Sequence, residues 1–351
     1  MRSGDILRIL CLAAISASLG SGSKNEPGLQ GDGFEVRKRG SRPVLFWHPM
    51  KTGGTSLCQM ALQYEFSKEW LQSSRRDHVE SNCKVESWEQ RKLEEDENTQ
   101  EHMLKDENLG SFALPVQAHG IRHLGAVTGR SFFAYEPSYP IKQKWKNFNA
   151  TGLLDSDDVW DGFFHVMAFR HPVGRVFSHM FFEPRWKGCR GKPDFTAVMM
   201  AVVNGTCKQM CAGNLCSDLL AMMDNFYVKH LSGSPANLTL AAHNLLHHID
   251  VPFDLTRYAQ DSIFVLNRAL GWNARTATHY RPGPATEEPA ETYPDAYAAI
   301  ASYVEDDYVL YLLAMEKFRR VFVGHGGTWD VVTSEDLQRV QLWEEWLERT
   351  R

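Results

Sequence analysis

The stretch Pro43-Val44-Leu45-Phe46-Trp47-His48-Pro49-Met50-Lys51-Thr52-Gly53-Gly54-Thr55-Ser56-Leu57 holds three kinds of sequence in immediate succession. The apolar run from Pro43 to His48 predicts a short strand, the glycine pair a turn, and the apolar periodicity from Ser56 to Trp70 a helix. Strand, loop and helix in that order open an α/β domain. The loop is chemically suited to an anion. Gly53 and Gly54 let the backbone approach a ligand closely, the helix that follows points N–H groups at it, and Lys51, Thr52, Thr55 and Ser56 add donors. An ordinary strand-to-helix turn with a surface lysine is the plain alternative. Position favours the anion site, because open α/β sheets bind ligands at the carboxyl ends of their strands. The loop is not the Walker form G-x-x-x-x-G-K-[ST], since Lys51 precedes the glycines, and a nucleoside triphosphatase is disfavoured.

Working outward, Phe112 to Ala118 predicts a second strand. Phe163 to Phe169, bounded by Gly162 and Pro172, predicts a buried parallel strand, and Pro172 opens a helix to about Glu183. Asp194 to Val203, Asp218 to Leu231 and Leu238 to His248 carry helical spacing. Ile249 to Leu255 reads as a short strand, and Arg257 to Leu270 as a helix. Arg281 to Pro294, with four prolines, reads as a loop. Tyr297 to Arg320 reads as helix with Val304, Tyr308, Tyr311, Leu312, Met315 and Phe318 as its buried stripe. Strands alternating with helices predict a single α/β domain with a P-loop-like parallel sheet flanked by helices. That domain spans 43–330, with an acidic insertion at about 84–108 and a cysteine-rich segment at about 189–216. A C-terminal helix is expected at 331–351.

At 351 residues with 43% hydrophobic content the chain has ample material for a globular core, and its net charge of −5 gives no global attraction to nucleic acid. Arg2 and Arg8 flank an apolar run from Ile9 to Leu19 that ends in small residues, the outline of a signal peptide over 1–20. The run falls short of the roughly 20 residues a membrane span needs, so a cleaved signal is favoured over a short anchor, the only membrane attachment foreseen. A Gly/Ser-rich, charged linker is expected at 21–42. The sequons at Asn149, Asn204 and Asn237 point to the secretory pathway. So do six cysteines beyond Cys11, namely Cys58, Cys83, Cys189, Cys207, Cys211 and Cys216. Their spacings lack the C-x-x-C form of common structural zinc sites, so disulfides are expected rather than metal.

A second motif, Ala168-Phe169-Arg170-His171-Pro172-Val173-Gly174-Arg175-Val176-Phe177-Ser178, puts an arginine at the end of a predicted strand and a serine on the next helix. Arg170 offers a planar fork to a phosphate and Ser178 a hydroxyl. Together the two motifs resemble the 5′-phosphosulfate loop and the 3′-phosphate motif of the sulfotransferases that use 3′-phosphoadenosine 5′-phosphosulfate (PAPS). The K-T-G-G-T-S form is closest to the Golgi carbohydrate branch that includes the heparan sulfate 2-O- and 6-O-sulfotransferases. The resemblance covers about Pro43 to Arg320, with the acidic insertion and the cysteine cluster as departures.

The resemblance implies the sulfotransferase fold, a Golgi-lumenal enzyme, PAPS as sulfuryl donor, no metal and a carbohydrate acceptor, an acidic polysaccharide among the candidates. It implies that Lys51, Thr52, Gly53, Gly54, Thr55 and Ser56 hold the phosphosulfate and that Arg170 and Ser178 hold the 3′-phosphate. Lys51 then stabilises the developing charge, and His119, just after the second predicted strand, serves as base, with His123 as the neighbouring alternative. Lys142, Lys144 and Lys146 around Trp145, and Arg185, Lys187, Arg190 and Lys192 around Trp186, are candidate acceptor contacts, although such charge runs are usually solvated faces. Protein-tyrosine sulfation, a catalytically silent glycan-binding protein of the same fold, and a nucleotide kinase are the alternatives.

Overall fold

The computed structural model describes residues 38–49, 52–66, 103–106, 112–115, 131–135, 157–182, 184–191, 194–211, 215–232, 237–275 and 289–328. Expectations for 1–37, Lys51, most of the acidic insertion, His119, His123, Lys142, Lys144, Lys146, Asn149 and 331–351 lie outside them.

Among the described residues, four parallel strands form the central sheet: β1 (Val44–Trp47), β4 (Phe132–Tyr135), β5 (Phe164–Ala168) and β6 (Val251–Phe253). Their lateral order is β4-β1-β5-β6. Val44 is in register with both Phe132 and Phe164, and Val166 with Val251. β1 and β5 are buried along their whole length, as strands of a parallel sheet covered on both faces must be. The twofold alternation of the strand then assigns each side chain to a layer. Val44, Phe46, Phe164, Val166 and Ala168 pack into one core with α1 (Gly54–Tyr64), α9 (Ala259–Leu270) and the end of α12 (Glu305–Gly324). Leu45, Trp47 and Met167 pack into the other with α3 (Pro172–Phe182) and the helices α4 (Phe195–Val203), α6 (Leu215–Met223), α7 (Phe226–Ser232), α8 (Leu238–His248) and α11 (Pro294–Tyr303). The result is helix, sheet, helix, the α/β arrangement expected.

Local chemistry explains the ends of these helices. Pro172 occupies the first position of α3, where its missing N–H is no loss. The Asp194 carboxylate accepts from Ala197 N–H at 2.7 Å to cap α4, and Asn237 accepts from Leu240 N–H at 3.0 Å to cap α8. Gly271, at φ 74°, closes α9 in the left-handed conformation. Two predicted helices are broken. The stretch from Asp218 to Leu231 divides at Asn225, whose φ of 46° a continuous helix forbids. That from Tyr297 to Arg320 divides at Val304 into α11 and α12. On α12 Tyr308, Tyr311 and Phe318 are buried as expected, while Leu312 and Met315 are half-buried. Within the predicted proline-rich loop, Pro289–Thr292 forms a helical turn, α10.

The remaining strands require a correction. Phe112–Pro115 is a strand, β3, but it pairs antiparallel with β2 (Met103–Asp106) in a separate two-stranded sheet. β2 falls within the segment read as an acidic insertion. The second strand of the parallel sheet is instead β4, Phe132-Phe-Ala-Tyr135, a four-residue apolar run. The end of the segment read as a linker is tied to the domain. The Arg39 guanidinium pairs with the buried Glu65 carboxylate and donates to Leu270 O at 3.1 Å, and Arg42 donates to Phe163 O at 3.1 Å. Glu65 also accepts from Trp272 Nε1 at 2.6 Å and from the Ser131 hydroxyl, so one carboxylate joins the approaches to β1 and β4.

Candidate functional site

Numbered in chain order, the parallel strands run 2-1-3-4 across the sheet. The chain leaves β1 toward β4 on one side and returns to β5 on the other. The loops after β1 and β5 therefore diverge at the carboxyl edge and leave a crevice between them, the switch point where sheets of this kind bind ligands. Both motifs lie there, one in each loop.

After β1, Thr52 is fully buried and donates its hydroxyl to Pro49 O at 2.6 Å, tightening the turn. Gly53 has φ 96°, a conformation side chains disfavour, and a Cβ there would stand 3.2 Å from the Leu255 side chain of the loop after β6. A Cβ on Gly54 would fall 1.9 Å from His48 Nε2. The imidazole of His48, stacked on Phe46 at 5.3 Å, thus fills the space that only a glycine leaves. Thr55 and Ser56 follow on the first turn of α1, the positive end of its dipole, where no acidic side chain competes.

After β5, the Arg170 side chain lies over the first turn of α3, its Nε 3.8 Å from where a Cβ of Gly174 would be. Gly174 and Ser178 are four residues apart on one face of α3, so Arg170 and Ser178 address the same side of the helix. Burial pulls Arg170 below the ordinary guanidinium value, opposed chiefly by Asp254. A desolvated guanidinium gains most from an incoming anion.

The peptide carrying Arg170 is clamped. The Tyr227 hydroxyl, fully buried on α7, accepts from Arg170 N–H at 2.9 Å and donates to Arg170 C=O at 2.8 Å. Burial pushes that phenol far above its ordinary pKa, so it stays protonated and keeps its donor. α7 is itself fixed from below. Asp307 Oδ1 accepts from Tyr227 N–H at 2.7 Å and Val228 N–H at 3.0 Å, and its Oδ2 lies 3.9 Å from Arg175 Nη2. Burial raises Asp307 to about 6 against the pull of Arg175. Arg175 donates to Met222 O at 2.6 Å and lies 4.0 Å over the Phe226 ring. It is wholly buried and serves the framework, whereas Arg170 is half-buried at the carboxyl end of β5.

Asp254, at the end of β6, accepts from Thr256 and Arg257 N–H at 2.7 and 3.0 Å and from the Tyr311 hydroxyl at 2.9 Å. Burial raises its pKa above the ordinary carboxylate value.

Comparison with protein-family models, with curated proteins and with solved structures gives no match.

Other candidates fare differently. The strand before His119, β3, pairs with β2 and not with the parallel sheet, and His119 itself lies outside the described residues. Trp186 is buried, donates Nε1 to Met180 O at 3.1 Å and packs edge-on to Phe195. It is a core residue and not a sugar platform. Cys189 pairs with Cys211 and Cys207 with Cys216, and Cys58 is also disulfide-bonded. The Cys207, Cys211 and Cys216 sulfurs lie within 4.8 Å of one another, but in disulfides they are not the thiolates a metal needs. Tyr227, Asp254 and Asp307 were not singled out from the sequence for any role at the site. No local motif marks a tyrosine that acts on a backbone 57 residues away.

Proposed function

We propose that the chain is a sulfotransferase with the sulfotransferase fold, transferring a sulfuryl group from PAPS to a hydroxyl of a carbohydrate acceptor in the Golgi lumen. The observation that carries this reading is that two anion-suited loops flank one switch point at the carboxyl edge of the sheet: Thr52 to Ser56 at the head of α1, and Arg170 with Ser178 along α3. A donor with a phosphate at each end of its nucleoside needs two such loops.

The 5′-phosphosulfate lies against the α1 N-terminus, the resemblance assigns Lys51 to its bridging oxygen, and the 3′-phosphate meets Arg170 and Ser178. The acceptor oxygen attacks sulfur in line. Its bond to sulfur forms as the bond from sulfur to the 5′-phosphate oxygen breaks, and the electron pair leaves on adenosine 3′,5′-bisphosphate. Lys51 and the helix N-terminus stabilise the charge that develops there. The hydroxyl proton passes to a base, and the resemblance alone nominates His119.

Calorimetric titration with adenosine 3′,5′-bisphosphate tests the reading. Wild type binds, and Lys51→Ala and Arg170→Ala each bind more weakly. A folded wild-type chain that does not bind the bisphosphate removes the proposal.

A further inference from the structure

At the opposite edge of the sheet from the crevice, α8 ends in a group of histidines that the donor site does not use. His243 and His247, four residues apart, lie on one face of the helix, and both are exposed. Their ring centroids are 4.4 Å apart with planes inclined by 40°. His248 turns away to stack on Trp160 at 4.5 Å and 18°, its ring 5.9 Å from that of His243.

We propose that His243 and His247 form a two-imidazole site on α8 for a divalent transition ion of the zinc or copper class. Two histidines at i and i+4 on one helix face are the arrangement by which a helix presents a pair of nitrogens to one ion. Nitrogens bonded to tetrahedral zinc at about 2.0–2.1 Å stand roughly 3.3 Å from each other. Rings 4.4 Å apart reach that spacing by side-chain rotation alone.

Lys317 does not block the site, since its ammonium is held by Leu245 O at 3.0 Å and Leu246 O at 2.7 Å, where it caps the helix. Imidazole selects zinc, copper and nickel over magnesium and calcium, which take oxygen ligands. An ion held by both rings crosslinks the last turn of α8 just before the chain enters β6. The site is independent of the donor crevice.

The test is isothermal titration of the full chain with Zn2+, and with Mg2+ for comparison, in wild type, His243→Ala, His247→Ala and the double variant. Both positions are exposed and alanine is the best helix former, so loss of binding cannot be ascribed to a melted helix. Wild type takes up one Zn2+ that the double variant does not. Each single variant binds it at least roughly tenfold more weakly, a penalty that even residues behind the ligands commonly exact. Mg2+ gives no heat that the double variant lacks. The chain has 14 histidines, so only the difference between variants counts. Equal Zn2+ uptake, in number and affinity, by wild type and double variant overturns the proposal.

Discussion

Tyr227→Phe deletes one oxygen and nothing else, which makes it a sharp probe of the clamp on Arg170. The hydroxyl makes two hydrogen bonds to that one peptide, at 2.9 and 2.8 Å, from a fully buried side chain. Each bond contributes about 1 kcal/mol net, and a buried group left unsatisfied costs about 1–3 kcal/mol. Because Arg170 is only half-buried, water can recover part of the loss, and the sum comes to about 2–3 kcal/mol. The ring contact with Phe169, at 5.1 Å, survives the change. Urea unfolding of the two proteins reads the difference as a lower midpoint at unchanged slope. Because the clamp fixes the backbone from which Arg170 reaches out, the variant also binds adenosine 3′,5′-bisphosphate more weakly, although Tyr227 is a positioning residue only. A loss below about 0.5 kcal/mol, the size of an ordinary surface change, together with unaltered binding, would refute the clamp.

Asp307 gives a pH signature. Its folded pKa, about 6, lies above the ordinary carboxylate value, so the folded state holds the proton more tightly. Its contribution to stability is therefore greatest below the unfolded pKa and is lost as pH rises through about 6. In Asp307→Asn, stability measured from pH 4 to 7 lacks this decline, and parallel profiles in the two proteins would contradict the assignment. The disulfides close loops with separations of 22 and 9 residues, for which chain entropy alone gives about 3 kcal/mol each. Replacing Cys207 and Cys216 together by serine lowers stability by about that much in denaturant titration, and an unchanged midpoint would show that the bridge constrains nothing. Gly54→Ala drives a methyl into the His48 ring, so it weakens bisphosphate binding and lowers the melting temperature. Unchanged values for both would mean that the loop yields freely.

Much of the framework was legible because its signals are local. The run Phe164–Ala168 between Gly162 and Pro172, the Asp194 cap and the apolar face of α3 each declare an element within a dozen residues. β4 was not, although Phe132-Phe-Ala-Tyr135 is as apolar as β1. Phe112–Ala118 offered an equally good run, and local pattern cannot say which of two runs joins the parallel sheet. The breaks at Asn225 and Val304 interrupt apolar periodicities that continue across them, so periodicity alone ran the helices together. At the site, the glycines and Arg170 advertise themselves by type and spacing. Tyr227 and Asp307 do not, because their roles rest on tertiary contacts with backbone groups of other elements.

The central claim is that Arg170 reads a phosphate on the 3′ side of a nucleotide whose 5′ end sits at the head of α1. Calorimetry comparing adenosine 3′,5′-bisphosphate with adenosine 5′-monophosphate, in wild type and in Arg170→Ala, tests it most directly. The account predicts that wild type prefers the bisphosphate and that the variant loses the preference while still binding the monophosphate. Equal affinity of wild type for the two nucleotides, or a preference that survives in Arg170→Ala, would contradict it.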